Sequence, residues 1–282
     1  MTSIWAHTMV KNEARWLWYS VSSVIDYVDK VLLWDTGSTD GTHEIIQELI
    51  KKYPNKIQYK QVVQNTVNDF ARVRQEMLDK TTADWFLMLD GDEVWWGDTI
   101  KKVISIIKSI TSITGDKTES MVVPTVNVVG DIFHYQDRSA GMYTFGKLKG
   151  HYNLRAIKRS IPGLHSQGVH GVWGWADKDN KMIQDRNTFK FIDSPYLHTT
   201  FIPRASQSSS DSEVAKRHKK LKHEIGIKFP LDFYYPEIFF RDRPKIVVSP
   251  WQVMDTGFKL RSIVETPIRK LKRRIMPAKV GY

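Results

Sequence analysis

Residues 85–89, Trp-Phe-Leu-Met-Leu, are five consecutive apolar side chains between two aspartates. A run of that length with such flanks predicts a fully buried strand. It stops abruptly at Asp90-Gly91-Asp92-Glu93, three carboxylates with one glycine among them. Acid at the carboxyl end of a core strand stands at the mouth of an α/β sheet, where open α/β sheets bind their ligands. Clustered carboxylates repel one another unless a cation sits among them, and hard oxygen ligands suit Mg²⁺ or Mn²⁺. The stretch therefore points to a metal site for a phosphate-bearing substrate. The plainer reading is an acidic turn closing a strand.

The residues before it supply the rest of the sheet. Residues 4–10 read as a first strand, followed by the polar turn Lys11-Asn12-Glu13. Between 14 and 28, Trp16, Leu17, Val21, Val24, Ile25 and Val28 recur at helical spacing. Residues 31–34 form a short second strand ending at Asp35, and the turn that follows carries Gly37 and Gly41. Ser38, Thr39 or Asp40 is placed to cap a helix over 43–52. Residues 57–63 alternate as a third strand, and a helix begins at Asp69 with Arg72 and Arg74 in its first turns. The order β-α-β-α-β-α-β implies a parallel sheet with helices on its faces. Neither G-x-G-x-x-G nor G-x-x-x-x-G-K-[ST] occurs, which removes the dinucleotide and P-loop readings. Asp35, an acid closing a buried strand, is suited to accept hydrogen bonds from a nucleobase or ribose. An arginine just upstream of the acidic strand is within reach of a diphosphate.

Four motifs in sequence order resemble glycosyltransferase family 2: Val10-Lys11-Asn12-Glu13-Ala14, Asp35-Thr36-Gly37-Ser38-Thr39-Asp40-Gly41-Thr42, Phe70-Ala71-Arg72-Val73-Arg74 and Leu89-Asp90-Gly91-Asp92-Glu93. That resemblance covers roughly residues 3–100. It implies a GT-A-type, Rossmann-like and mostly parallel α/β sheet, and an inverting transfer from a nucleotide sugar. By the resemblance Met9, Val10, Asn12 and Glu13 line the nucleotide pocket, and Asp35 reads the base, usually uracil. Arg74 lies near the nucleotide. Asp90 and Asp92 hold the divalent metal, Mn²⁺ or Mg²⁺, with the ribose and diphosphate. A fixed metal stabilises the charge of the departing nucleoside diphosphate as a Lewis acid.

Beyond residue 100 the pattern changes. Residues 100–110 form an amphipathic helix, residues 121–129 read as a strand, and residues 131–200 mix aromatics, glycines and histidines without helical period. The resembling enzymes carry an arginine-bearing strand, then valine-histidine-glutamate, then leucine-histidine. Here the matches are Leu154-Arg155-Ala156-Ile157, Val169-His170-Gly171 and Leu197-His198-Thr199, with Gly171 in place of the glutamate. An inverting displacement needs a group to take the acceptor's proton. Asp177, beside Trp173 and Trp175, is the first choice, followed by His170 and Asp179. By the same resemblance His198 is a third metal ligand. The two tryptophans are candidate sugar platforms, although packing is the commoner use of such residues.

Charge separates the chain's two parts. Residues 1–203 hold 24 Lys and Arg against 23 Asp and Glu, whereas residues 204–282 hold 18 against 8. The expected organisation is a catalytic domain over 1–203 (nucleotide half 1–100, acceptor half 101–203) and a basic, largely helical extension over 204–282. Serines at 206–212 suggest a linker, residues 213–225 a basic helix, and Ser249-Pro250 a helix start. At the end Phe258, Ile263, Val264, Ile268, Leu271 and Ile275 oppose a set of lysines and arginines, with Thr266-Pro267 placed to start a fresh helix. That is the pattern of an interfacial helix on an anionic membrane surface; a helix docked on its own domain or on a neighbour is the alternative. Nucleic acid is disfavoured, because base-reading polar residues and aromatics are not interleaved with the arginines. The absence of cysteine excludes disulfides and thiolate chemistry. No apolar run approaches the roughly 18 residues of a span, and the first residues lack a signal-peptide pattern.

The expectation is thus a cytoplasmic, membrane-peripheral, metal-dependent hexosyl- or N-acetylhexosaminyltransferase. It would move a sugar from a nucleotide diphosphate, with UDP the first choice, to a glycan or lipid-linked acceptor. One alternative is a basic membrane- or nucleic-acid-binding protein on a degenerate transferase scaffold. A D-x-D aspartyl phosphatase is the other, disfavoured because Val94 stands where that chemistry places a threonine.

Overall fold

The structure, a computed structural model, describes residues 1–64, 66, 69–169, 173–202 and 222–275. The first half alternates strand and helix: β1 (Ile4–Val10), α1 (Leu17–Val24), β2 (Lys30–Asp35), α2 (Thr42–Lys52), β3 (Ile57–Gln61), α3 (Asp69–Lys80), β4 (Trp85–Met88), β5 (Glu93–Trp95) and α4 (Gly97–Thr111). Then come β6 (Ser120–Val129), β7 (His134–Tyr135), β8 (Tyr143–Phe145), β9 (Leu148–Gly150), β10 (Tyr152–Lys158), β11 (His165–Gln167), β12 (Gly174–Ala176), β13 (Phe189–Phe191), β14 (Tyr196–Phe201), β15 (Ile227–Lys228) and α5 (Thr256–Ile275).

Eleven of these strands join one sheet, whose main path runs β15-β7-β6-β10-β4-β1-β2-β3. The β-α-β units make β1, β2, β3 and β4 parallel, as the alternation predicts. β10 enters antiparallel between β4 and β6. Two antiparallel steps restore the direction, so β6 again points the same way as β4. This is the mixed α/β sheet expected of a GT-A-type fold.

Burial explains the element boundaries. Every residue of β4 is buried, and all eight of α1 are buried too, serines included. Such a helix is enclosed on all sides, here by α2, α4, β5 and a short turn at Glu237–Phe240. α1 is shorter than the periodicity of 14–28 suggests, because Trp16 and Leu17 both donate to the Glu13 carbonyl in a tight turn. At its far end the chain turns to Asp29, whose carboxylate accepts the Ile4 amide at 2.7 Å. α2 starts after Gly41 in the left-handed conformation, and Asp40 accepts the Thr42 amide at 3.1 Å.

The last quarter differs from expectation in three ways. Phe229, Ile238, Phe239 and Val247 belong to the same core as α1, with Phe239 edge-on to Tyr19 at 5.2 Å. Residues 206–212 and most of 213–225 lie outside the described residues, and 222–225 are not helical. No helix begins at Ser249-Pro250; α5 begins at Thr256 and passes through Pro267 without a break. The carbonyl that Pro267 leaves without its helical donor belongs to Ile263, on the exposed side of the helix. Among the described residues no helix is long and apolar enough to cross a membrane.

Candidate active site

The acidic segment leaves the sheet in a fixed manner. Leu89 still donates to the His7 carbonyl of β1 at 3.0 Å, and then Glu93 donates to the Asp90 carbonyl at 3.1 Å, closing a turn. Gly91 is required by close approach: a Cβ there would lie 3.0 Å from both Val10 Cγ1 and Glu13 Cγ. After the turn β5 pairs with β14, setting Glu93 opposite His198. Thr199 donates its amide and hydroxyl to the Asp92 carbonyl at 2.9 and 3.0 Å, which locks the two segments together.

Asp35 ends β2 opposite Val10 of β1, and β1 separates β2 from β4. Asp35, Asp90 and Asp92 therefore share the carboxyl edge of three adjacent parallel strands. The loop after β1 and the loop after β2 are stitched across this edge. Asn12, at φ 56°, donates its amide to Ser38 Oγ at 2.8 Å and accepts the Thr39 amide at 2.7 Å. Glu13 donates its amide to Thr42 Oγ1 at 2.8 Å. Asp35 Oδ1 takes the Ser38 amide and hydroxyl at 3.0 and 2.6 Å, while its Oδ2 is buried with no hydrogen-bond partner among the described residues.

Two buried arginines grip Asp90. Arg74 of α3 donates to Asp90 Oδ1 at 2.9 Å, and Arg155 of β10 lies 3.4 Å from Oδ2. Burial alone would raise the Asp90 pKa, yet Arg155 and Arg74 together hold it below the usual carboxylate range. The Arg74 guanidinium lies 5.3 Å from the Trp173 ring centroid and 5.6 Å from that of Phe70. Its Nε and Nη1 are buried without a hydrogen-bond partner among the described residues. Arg155 also pairs with Glu93 and donates to the Tyr196 hydroxyl at 2.8 Å. Glu93 is completely buried, and that burial pushes its carboxyl well above the ordinary range despite Arg155.

Asp92 faces His198, with Nε2 3.6 Å from Asp92 Oδ1. The other ring nitrogen, Nδ1, is 3.2 Å from Asn127 Oδ1, an oxygen that also accepts from Thr125 Oγ1 at 3.1 Å. Asn127 uses its Nδ2 on Gln136 Oε1. This network makes Nδ1 the donor to Asn127 and leaves Nε2 facing Asp92. A histidine held through one nitrogen, with the other facing a carboxylate, has the supporting arrangement of a metal ligand. Among the described residues no group of three or more such side chains converges for a metal. The donor set that fits is the pair Asp92 and His198, which suits a cation completing its shell from a bound diphosphate and water.

The structure thus brings Met9, Val10, Asn12, Glu13, Asp35, Arg74, Asp90, Asp92 and His198 to one edge. Asp177 is not among them. β12 leads away from Trp173 and leaves Asp177 near Glu119, level with Trp85 at the amino end of β4. There Oδ1 accepts the Asp179 and Lys181 amides at 2.9 and 3.0 Å, and Oδ2 pairs with Arg186. A carboxylate so engaged at the far edge is a structural anchor, and Asp179 lies in the same turn. His170 lies outside the described residues. Trp175 is buried, donating to Met88 Sδ, and offers no platform to a sugar; Trp173 is half-buried beside Arg74. The sequence left Arg155, Glu93, Tyr196 and Asn127 without roles. The signal for Arg155 was an arginine within the run Leu154-Arg155-Ala156-Ile157, where a buried guanidinium calls for a buried acid.

The family model described as Glycosyl transferase family 2 matches residues 6–161. A TPR repeat-containing protein of Synechococcus elongatus is 34% identical over 85 residues, 30% of this chain and 19% of its own length. Of solved structures, S. aureus TarS 1-349 aligns over 71% of this chain and 61% of its own, at 12% identity and a TM-score of 0.46. A mannosyltransferase from Pyrobaculum calidifontis, PcManGT, in complex with GDP-Man and Mn²⁺, aligns over 77% and 62%, at 13% identity and a TM-score of 0.43. The chain spans less than two thirds of the length of each of these three proteins.

Proposed function

This chain belongs to glycosyl transferase family 2, and from that premise we propose that it transfers a hexose or N-acetylhexosamine, with inversion, from a UDP-sugar. One observation carries the reading. The edge bearing Asp92 and His198 also holds buried polar atoms of opposite kinds that have no partner among the described residues: Asp35 Oδ2, an acceptor, and Arg74 Nε and Nη1, donors. Buried polar groups are nearly always paired, so these atoms are what a ligand with both donors and negative charge would satisfy. A nucleoside diphosphate has donors on its base and ribose and charge on its phosphates.

In this reading Asp35 accepts from the base or ribose, and Arg74 donates to the diphosphate. Asp92 and His198 hold Mn²⁺ or Mg²⁺, the histidine oriented by Asn127. When bound, the cation supplies Lewis-acid stabilisation of the charge on the leaving diphosphate. Asp90, fixed between Arg74 and Arg155, keeps both cations aligned at the edge. With Asp177 at the far edge, His170 is the residue we propose for taking the acceptor's proton, on the family motif alone. The acceptor is a glycan or lipid-linked sugar, met on the cytoplasmic side of a membrane.

Calorimetry with UDP, GDP, CDP and ADP in the presence of Mn²⁺ tests this directly. UDP should bind the native chain and not Asp92→Ala, and that variant should lose donor turnover. Full activity of Asp92→Ala would remove the site assignment. No binding of any nucleoside diphosphate, with tight binding to vesicles or DNA, would favour a binding protein on a transferase scaffold.

A further inference from the structure

The amphipathic pattern of α5 is turned the unusual way round. The side that carries Phe258, Ser262 and Thr266 faces the protein. All three are buried, and a Cβ at Gly130 would lie 3.0 Å from Phe258 Cε1. Thr266 Oγ1 accepts the Ile225 amide at 2.8 Å, and Arg273 makes a bidentate pair with buried Glu224 at 2.7 and 2.5 Å. On the opposite side Leu260, Val264, Ile268, Leu271 and Ile275, spaced by four, four, three and four residues, are each 57–70% exposed. That spacing is one continuous stripe along a helix. Helical geometry sets Arg274 along one border of the stripe and Arg261 and Lys272 along the other, with Lys270 and Lys259 further round beyond Arg274.

We propose that this stripe docks the protein on an anionic lipid bilayer, the aliphatic side chains entering the interface and the bordering cations meeting head-group phosphates. The charge pattern selects the occupant. α5 contains seven lysines and arginines and one acid, Glu265, which is already paired with Arg261 and Arg269. A second copy packing the same stripe would bring like-charged borders together. Nucleic acid would find aliphatic groups in place of the aromatic rings that stack on bases. A negatively charged bilayer satisfies both the apolar stripe and its basic borders.

The anchor of α5 also lies close to the site. Met254, just before the helix, donates to Asp131 Oδ2 at 3.1 Å, and Gly130 and Asp131 follow Asn127, the residue that holds His198, within four positions of the chain. Because β6 points the same way as β4, this anchor is at the edge of the sheet that carries the acids. On the transferase reading, docking brings that edge to the membrane and favours acceptors carried by lipid.

Co-sedimentation of the full chain with vesicles is the test. Binding is expected to phosphatidylcholine containing phosphatidylglycerol and not to phosphatidylcholine alone. Val264→Glu with Ile268→Glu, both at exposed positions, should abolish it without lowering the melting temperature. Lys272→Gln with Arg274→Gln should weaken it by roughly thirtyfold, from the usual contribution of a basic residue near an anionic surface. Absent binding, or binding that survives the paired glutamates, overturns the proposal. Self-association in sedimentation velocity that the glutamates break, without vesicle binding, overturns it in favour of a second copy. UDP and Mn²⁺ calorimetry on the same variants reads the nucleotide site separately, so either conclusion can fail alone.

Discussion

Replacing Arg155 with methionine tests the buried charge network that aligns the site. Methionine fills most of the same volume but leaves Glu93, which has no solvent exposure, without its cation. It also removes one of the two arginines on Asp90 and a donor to Tyr196. Removing one partner of a buried ion pair costs about 3–5 kcal/mol. For a chain of this size that corresponds to a fall of roughly 10 °C in the melting temperature. Urea unfolding followed by tryptophan fluorescence is suited to the measurement, and the second half of the cycle is Arg155→Met with Glu93→Leu. Taking out both charges removes the stranded carboxylate, so the double variant should be more stable than the single by at least about 2 kcal/mol.

The pH dependence has a definite sign. Burial already raises the Glu93 pKa with Arg155 present, and the substitution removes an influence that lowers it. A carboxyl whose folded-state pKa is raised contributes stability below its unfolded pKa and loses it as pH rises through the folded value. The deficit of Arg155→Met should therefore widen from acid to neutral pH. A single-variant cost below about 1 kcal/mol, or a double variant no more stable than the single, would refute the argument.

Three further outcomes follow from the geometry. Asp35→Ala should weaken UDP binding by about 1–3 kcal/mol, the cost of one lost acceptor in a buried site, while calorimetry still shows dependence on Mn²⁺. Asn127→Ala frees the His198 ring, and should raise the Mn²⁺ concentration needed for UDP binding by about 10–100-fold, read by metal titration at fixed nucleotide. Asp177→Ala unties Arg186 and two turn amides, and should cost about 1–3 kcal/mol in urea unfolding while UDP affinity stays unchanged.

The first hundred residues were legible because their signals are local. Apolar runs at 4–10, 31–34 and 85–89 mark strands, helical spacing marks α2 and α3, and acids at strand ends fall on one edge once the strands are parallel. What sequence could not supply was register across distant segments. Asn127 reaches His198 only because β6 and β14 pair in one particular alignment, and no periodicity in either strand encodes it. The same limit misled the reading of Asp177: its neighbours Trp173 and Trp175 suggested a pocket, but β12 carries the chain away from the site. At the C-terminus the sequence showed an amphipathic helix, but it grouped Phe258 with the apolar stripe, and the structure buries Phe258 on the other side with Ser262 and Thr266. Which side faced inward depended on Gly130, Ile225 and Glu224, far off in sequence.

The clasp between Thr199 and the Asp92 carbonyl joins residues 107 positions apart. During synthesis the amino-terminal part emerges first, so the nucleotide loops are complete long before the histidine strand leaves the ribosome. A nascent chain halted before residue 196 would carry a finished cradle for the donor and an unfinished grip for the cation. On the proposed transferase reading, donor turnover would wait until the carboxyl half has folded back onto the amino half.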